Sequence, residues 1–449
     1  MAGKKTQAQL TPEEKLQQAL VPEAEQPYKV PANWCWTYVK YVSEVVTGGT
    51  PSKKHTEYYS GNFPFFKPAD LDAERYVYDA SEYLSEEGKK VSRIIPKYST
   101  AVCCIGSIGK SGYLEVEGTT NQQINSAIPK FNSLYLYYFI KSEYFIEQLW
   151  RKASATTISI VNKSKMEDCV FPLPPLTEQQ RIVERIESLF AKLDEAKEKL
   201  QNVLDGFETR KAAILHKAFT GELTVNWRKQ HGISMDSWEE KPLKDLTDVI
   251  GDGIHGTPIY TENGEYYFIN GNNFSGVEIR IKPETKRVNH IEYDKYKVNL
   301  NDKTVFVSIN GTLGKTAFYN NEKIILGKSA CYLNLKENLN KFYLRYFFCS
   351  KEFIDYANEK ATGSTIKNLG LKAIRNLIIF VPPIPEQTEI VRIIDDLLAK
   401  EQQAKELAEN ALAKIELIKK SILAHAFRGE LGTNNPADEP AVELLKRVL

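Results

Sequence analysis

One stretch of this chain occurs twice, and that repeat restricts its architecture more than any other feature. Pro174-Pro175-Leu176-Thr177-Glu178-Gln179 returns 208 residues later (382 − 174) as Pro382-Pro383-Ile384-Pro385-Glu386-Gln387. At the same offset Ile214-Leu215, Ala218-Phe219 and Gly221-Glu222-Leu223 return as Ile422-Leu423, Ala426-Phe427 and Gly429-Glu430-Leu431. Aligned without a gap, residues 174–223 and 382–431 agree at 24 of 50 positions. A solenoid repeats every 20–45 residues or so, far less than this period. Two copies of one large unit, joined head to tail, are implied.

The repeated stretch predicts a helix in each copy. Residues 177–219 and 385–427 are dense in Glu, Lys, Gln, Ala and Leu, and nearly free of Gly and Pro apart from Gly206 and the opening Pro385. Ile182, Ile186, Leu189, Leu193, Ala196, Leu200, Val203, Phe207 and Ile214 follow alternating steps of four and three, broken only by Arg210. The second copy keeps the register with Ile390, Ile394, Leu397, Ala404, Ala408, Ala411, Ile415, Ile418 and Ile422, broken by Glu401. Such a narrow heptad seam predicts a coiled-coil pair. Each helix starts after a Pro-Pro pair and stops at a glycine, Gly221 or Gly429. The interleaved charges Lys192, Asp194, Glu195, Lys197, Glu198 and Lys199 read as a solvated helix face or as a surface for a partner.

Residues 27–172 and 236–380 differ in kind, being rich in Tyr, Phe, Val and Ile with frequent turn residues. They predict short strands mixed with helices. They too are copies, more distant ones. Gly49-Thr50-Pro51 matches Gly256-Thr257-Pro258, and Gly109-Lys110-Ser111 matches Gly314-Lys315-Thr316. Leu136, Tyr138 and Ser142 match Leu344, Tyr346 and Ser350, while Ala153 and Thr157-Ile158 match Ala361 and Thr365-Ile366. If the long helices run antiparallel, the termini come together. Thr11-Pro12-Glu13-Glu14 reads as a helix start with a capping box, and Ala441–Leu449 as a short amphipathic helix; both would help close the ring.

Composition excludes several classes. No run of 18 apolar residues exists, and Met1-Ala2-Gly3-Lys4-Lys5 leads into polar residues, so neither a membrane span nor a secretory signal is expected. The six cysteines form no C-x-x-C pair and have no histidines at ligand spacing, so free thiols in a reducing cytoplasm and no metal are expected. The net charge of +1 requires that any grip on DNA be local or shared with partners. Gly311-Thr312-Leu313-Gly314-Lys315-Thr316 ends like a phosphate-binding loop. The full motif needs a glycine where Ile309 stands, and the first copy has Cys104 there. No Asn or Asp precedes either Pro-Pro pair, as an amino-methylating motif would need, and no G-x-G-x-x-G opens a helix. No active site and no cofactor are expected.

The paired Pro-Pro-x-x-Glu-Gln helix starts, the paired Ala-Phe-x-Gly-Glu-Leu ends, and the Gly-Thr-Pro and Gly-Lys turns together resemble the specificity subunit of Type I restriction–modification enzymes, over essentially the whole chain. The resemblance implies an α+β fold. Two similar mixed α/β target-recognition domains are separated by two long antiparallel coiled-coil helices, in a pseudo-twofold, circularly arranged repeat. It implies a lead with a short helix (1–26), a first recognition domain (27–172), a central helix (173–223), a connector (224–235), a second recognition domain (236–380), a C-terminal helix (381–431) and a tail (432–449). It also implies a non-catalytic, cytoplasmic subunit. Each domain would read one half of an asymmetric bipartite site in double-stranded DNA. The helices would set the spacer and dock two methyltransferase subunits, through which translocase–endonuclease subunits join.

Base reading needs donors and acceptors on loops. In the first domain the candidates are Thr50, Lys53, Lys54, Lys67, Asp70, Lys110, Asn121, Gln122 and Gln123; in the second they are His255, Thr257, Asn270, Asn272, Asn273, Asn310, Thr312, Lys315 and Lys328. Lysines would chiefly hold the backbone and amides read bases, although a solvated turn explains any single one of these residues better than contact does. Two other readings remain: a fused methyltransferase or nuclease, and a non-catalytic coiled-coil scaffold carrying two domains that bind something other than DNA.

Overall fold

Proline lacks the amide that a strand ladder or a helix interior needs, so a Pro-Pro pair ends one element and precedes another. In the computed structural model the strands Val170–Leu173 and Ile378–Val381 run into the two pairs. Helices follow at Leu176–Asp205 with Phe207–Phe219, and at Ile384–Ala426. Gly206 scarcely interrupts the first. Its N–H reaches Asn202 O at 3.1 Å and Arg210 N–H reaches Gly206 O at 3.0 Å, so the ladder carries through. Gly221 and Gly429 end the helices in the left-handed region, at φ +79° and +75°. The structure describes residues 11–72, 75–154, 158–363 and 365–449; Met1–Lys5 and Thr157 lie outside them.

The chain divides into two units, residues 1–199 with 411–449 and residues 200–410. Each unit therefore holds one piece of each long helix, and within each the pieces run antiparallel. In the first, Asp194 pairs with Lys419 at 2.5 Å and Lys197 with Glu416 at 3.9 Å, so numbering rises on one helix as it falls on the other. In the second, Lys405 lies 4.9 Å from the Phe207 ring. There the two residues that broke the heptad pattern meet: Arg210 Nε donates to Glu401 Oε2 at 2.7 Å. A polar pair inside an apolar seam favours one register over its slipped alternatives. Its side chains are 38% and 23% exposed, so a double-mutant cycle with Arg210→Ala and Glu401→Ala should give a coupling of only about 0.2–1 kcal/mol in denaturant titrations.

Ile182, Ile186, Ile390, Ile394, Ala408 and Ile415 are buried, and Leu189, Leu193, Leu200, Phe207, Leu397, Ala411 and Ile422 are half-buried. Val203, Ala404 and Ile418 are exposed, unlike the expectation for seam positions. A straight helix drifts about 20° per heptad from a strict seven-residue repeat, which carries some positions off the contact line.

The Glu-Gln of each helix start explains why that motif repeats. Both residues are buried in both units. Gln179 accepts from Asn132 N at 3.2 Å and donates to Pro174 O at 3.1 Å; Gln387 does the same with Asn340 N at 2.8 Å and Pro382 O at 2.8 Å. Glu178 accepts from Trp34 Nε1 at 2.7 Å and Asn434 Nδ2 at 2.8 Å. Glu386 accepts from Trp238 Nε1 at 3.0 Å, Thr224 Oγ1 at 2.7 Å and Arg228 Nη1 at 2.7 Å. The tail thus serves the first unit as the connector serves the second.

Lead and tail close on each other inside the first unit. Thr11 forms the capping box with Glu14 and starts the helix Pro12–Ala19, while Ala441–Lys446 forms the last helix. Ala19, Ala441, Leu444 and Leu445 enter the same core as Ile182 and Ile186. Ala441 N–H reaches Asn33 O at 2.9 Å, and Arg181 holds Asp438. Among the described residues, no helix is long and apolar enough to cross a membrane.

Candidate nucleic-acid interface

The central sheet of the first unit runs Ser43–Thr47, Ile124–Pro129, Thr100–Cys103, Ser111–Leu114, Tyr76–Val77 in spatial order. Thr47 stands opposite Asn125, Cys103 opposite Ile124, and Val102 opposite Ser111. These three pairings are antiparallel. The turn leaving Thr47, the loop entering Ile124 and the Gly-Lys turn after Cys103 therefore emerge at one end. The strand Tyr59–Phe66 delivers Lys67 and Asp70 to the same end, since Phe66 pairs with Thr120 and Asn121 N–H reaches Phe66 O at 3.1 Å.

At that end the candidates divide into those that build the turns and those that point outward. Asp70 accepts from Lys67 N at 2.7 Å and Ser81 N at 3.0 Å. Asn121 accepts from Gln123 N at 3.0 Å and donates to Gln123 Oε1 at 3.1 Å. Lys67 is held by Glu82 at 2.5 Å. Thr50 Oγ1 donates to Gln122 Oε1 at 2.6 Å, which ties the Gly-Thr-Pro turn to the amide loop, and Gln122 itself is exposed. Lys53 and Lys54 are exposed, Lys110 half-buried. Sequence reasoning passed over Arg93, which is exposed and reaches Thr47 O at 2.5 Å beside this cluster.

The second unit repeats the plan with other side chains. Its sheet runs Thr247–Asp252, Ala330–Leu335, Thr304–Ser308, Thr316–Phe318. Asp252 stands opposite Cys331, Ser308 opposite Ala330, and Val307 opposite Thr316. His255, Thr257, Lys328, Asn310, Thr312 and Lys315 thus share one end. Asn270, Asn272 and Asn273 follow the strand Tyr266–Ile269, and Gly271 N–H donates to Ser329 Oγ at 3.1 Å, which brings them to that end. Asn270 and Asn273 cap each other's backbone, and His255 Nε2 is 2.8 Å from Asp252. Asn310 Nδ2 lies 3.5 Å from Asn368. Asn272, Thr312, Lys315 and Lys328 are exposed, and the two ammonium groups make no ion pair among the described residues.

A basic stretch missed in the sequence adds to this end. Lys282 and Lys286 line a groove of about 330 Å³ with Tyr260, Phe268, Asn270 and Asn272. Lys286 lies 4.4 Å from the Tyr260 ring, and Arg287 4.8 Å from the Tyr267 ring. The signal was present as Arg280, Lys282, Lys286 and Arg287, but Pro283, Glu284 and Thr285 stand among them, so no run of like charge marks it.

The Gly-Lys turns spend their amides internally. Gly109 N–H reaches Cys103 O, Lys110 N–H reaches Ser107 O, and Gly314 N–H reaches Ser308 O. Lys315 N–H donates to Ser308 Oγ at 2.9 Å. A nucleotide-phosphate loop needs those amides turned toward the ligand. Among the described residues, no group of three or more His, Cys, Asp and Glu side chains could hold a metal ion.

Comparison with known proteins agrees with this duplicated plan. The profile of the family described as the Type I restriction modification DNA specificity domain matches residues 31–205 and again residues 235–411. The chain is 26% identical over 446 residues to the Type I restriction enzyme StySPI specificity subunit of Salmonella potsdam, covering 92% of each chain. Among solved structures, the HsdS subunit from Thermoanaerobacter tengcongensis superposes with a TM-score of 0.62 at 18% identity, covering 91% of this chain and all of that one. A chain from a structural study of complex assembly and conformational transition of the type I R-M system superposes with a TM-score of 0.66 at 19% identity, covering 90% and 100%. With two matched copies filling most of its length, the chain belongs to the Type I restriction–modification DNA specificity family.

Proposed function

We propose that this chain is the sequence-reading subunit of a Type I restriction–modification assembly and performs no catalysis of its own. The observation that carries the reading is the matched pair of sheet ends. One scaffold is used twice, and the loops at the same end carry different outward side chains. That is the arrangement expected of two readers of different half-sites. The recognition domains are assigned to residues 27–172 and 236–380, the ruler to the helices 173–223 and 381–431, the connector to 224–235, and the closing segments to 1–26 and 432–449. In each domain the lysines grip phosphates while Gln122, Asn272 and their neighbours meet base edges. The paired helices fix the spacer, near one turn of DNA or roughly 34–36 Å between half-site centres. They also dock two methyltransferase subunits, through which translocase–endonuclease subunits join, and the complex works in the cytoplasm.

The test is a gel shift with and without the methyltransferase subunit, at stated salt concentrations. Alone, the chain should bind DNA weakly and without sequence preference; with its partner it should select one site. In the complex, Lys315→Ala with Lys328→Ala should lower the slope of log K against log salt by about two, roughly one for each phosphate no longer neutralised. An unchanged slope would remove these lysines from the phosphate grip. Stoichiometric S-adenosylmethionine binding by the isolated chain would overturn the non-catalytic reading.

A further inference from the structure

The two units are built alike, so matched positions that differ in chemistry mark what one unit does and the other does not. In the first unit, the chain's own lead covers the end of the C-terminal helix. Tyr28 meets Trp36 and Tyr144 edge-on, at centroid distances of 4.9 and 5.6 Å. Its hydroxyl donates to Phe427 O at 3.2 Å, and Arg428 lies 5.4 Å from its ring. Strand register identifies the counterparts: Trp36 faces Pro172, Glu240 faces Phe380, and those partners are 208 residues apart (380 − 172). Trp36 is therefore replaced by Glu240 and Tyr144 by Glu352. Eight residues before the strand position (36 − 28 and 240 − 232), Tyr28 is replaced by Gly232. Gly232 has φ +62° and open space where a side chain would start.

The missing aromatics leave a groove of about 430 Å³ in the second unit. Phe219, Phe347 and Leu377 line it, with Ile378 and Phe380, 45% and 50% exposed, at its rim. Its wall carries the His216–Glu352 pair at 2.6 Å, and Glu352 Oε2 is buried with no hydrogen-bond partner among the described residues. An open apolar surface of this kind, flanked by carboxylates, marks a place where a partner docks. The internal copy shows the shape of the cover: a bend at residues 27–28 presenting an aromatic ring. The exchange of two aromatics for glutamates sets its charge. We propose that this groove docks a bent segment of the methyltransferase partner, carrying a tyrosine or similar ring beside a lysine or arginine that pairs with Glu352 and Glu240. The identity of the partner rests on the function proposed above; the groove and the chemistry of its occupant do not.

A photo-crosslinking residue in place of Phe380, in the full chain assembled with the methyltransferase, decides the matter. The expected result is a crosslink to one methyltransferase segment containing an aromatic residue next to a basic one. A crosslink to a second copy of this chain, or none to the methyltransferase, overturns the proposal. A labelled peptide with the sequence of residues 26–31, which carries Tyr28-Lys29, should compete with that crosslink. It should bind the full chain at least tenfold more weakly after Phe380→Asp and severalfold more weakly after Glu352→Gln; binding to both variants as tight as to the unchanged chain overturns the assigned chemistry. Neither readout involves DNA. If the gel shift shows no site selection while the crosslink forms, the docking groove stands and the DNA-reading function falls.

Discussion

Exchanging residues 27–172 for the equivalent block of a relative is expected to change one half of the methylated DNA site and leave the other half untouched. The core of the first recognition domain closes on itself, on its helix start, and on the lead, the C-terminal helix end and the tail. The contacts a substitute block must keep are those that recur in both units. Asn132 N–H meets Gln179 as Asn340 N–H meets Gln387, and Trp34 donates to Glu178 as Trp238 donates to Glu386. A relative's block that preserves these residues meets an unchanged helix start. Its outward loop residues are then the only ones that face DNA differently. Discrimination typically costs about 1–3 kcal/mol per wrong base pair, so changing a whole half-site moves specificity by several orders of magnitude. Sequencing of modified bases in cells expressing the hybrid would measure this. A change in both halves would sink the idea of independent readers.

Glu386→Ala should be among the most damaging single substitutions, costing about 3–5 kcal/mol, because it leaves a buried guanidinium without its counter-charge. The Arg228 side chain is 9% exposed and Glu386 fully buried, so water cannot stand in for the missing carboxylate. Trp238 Nε1 and Thr224 Oγ1 are deprived of their acceptor at the same time. Glu178→Ala should cost less, about 1–3 kcal/mol, since Trp34, Asn434 and Thr433 are neutral donors. Hydrogen exchange separates the two effects. Amides of the strand Thr304–Ser308 should become less protected in Glu386→Ala, and those of Thr100–Cys103 in Glu178→Ala. Equal deprotection of both strands by either variant would show that the anchors are not local to their units.

The helix starts, stops and heptad register were legible because they are local. Proline, glycine and a period near 3.5 act within a few residues. The polar breaks at Arg210 and Glu401 were visible as well, but only as exceptions. Their meeting depends on antiparallel register, which brings together residues 191 apart in the chain. Glu178 and Glu386 stood out as repeated letters, yet a glutamate in a first helical turn reads as exposed and drawn to the helix dipole. Their burial required donors from distant segments. Among the loop candidates, the sequence supplied the right turns without separating builders from readers. Asn and Asp cap turns with the same atoms that would contact a base, so Asn121, Asp70, Asn270 and Asn273 were indistinguishable from Gln122 and Asn272 until the backbone was in place.

Duplication, helix limits, seam and the absence of familiar catalytic motifs were determined by the sequence alone, since each is a statement about spacing along one strand of chain. Which side chains became anchors, which turned outward, and which of two sibling grooves stayed open were decided only by tertiary structure. Those outcomes depend on desolvation and on partners hundreds of residues away, and no local rule encodes either.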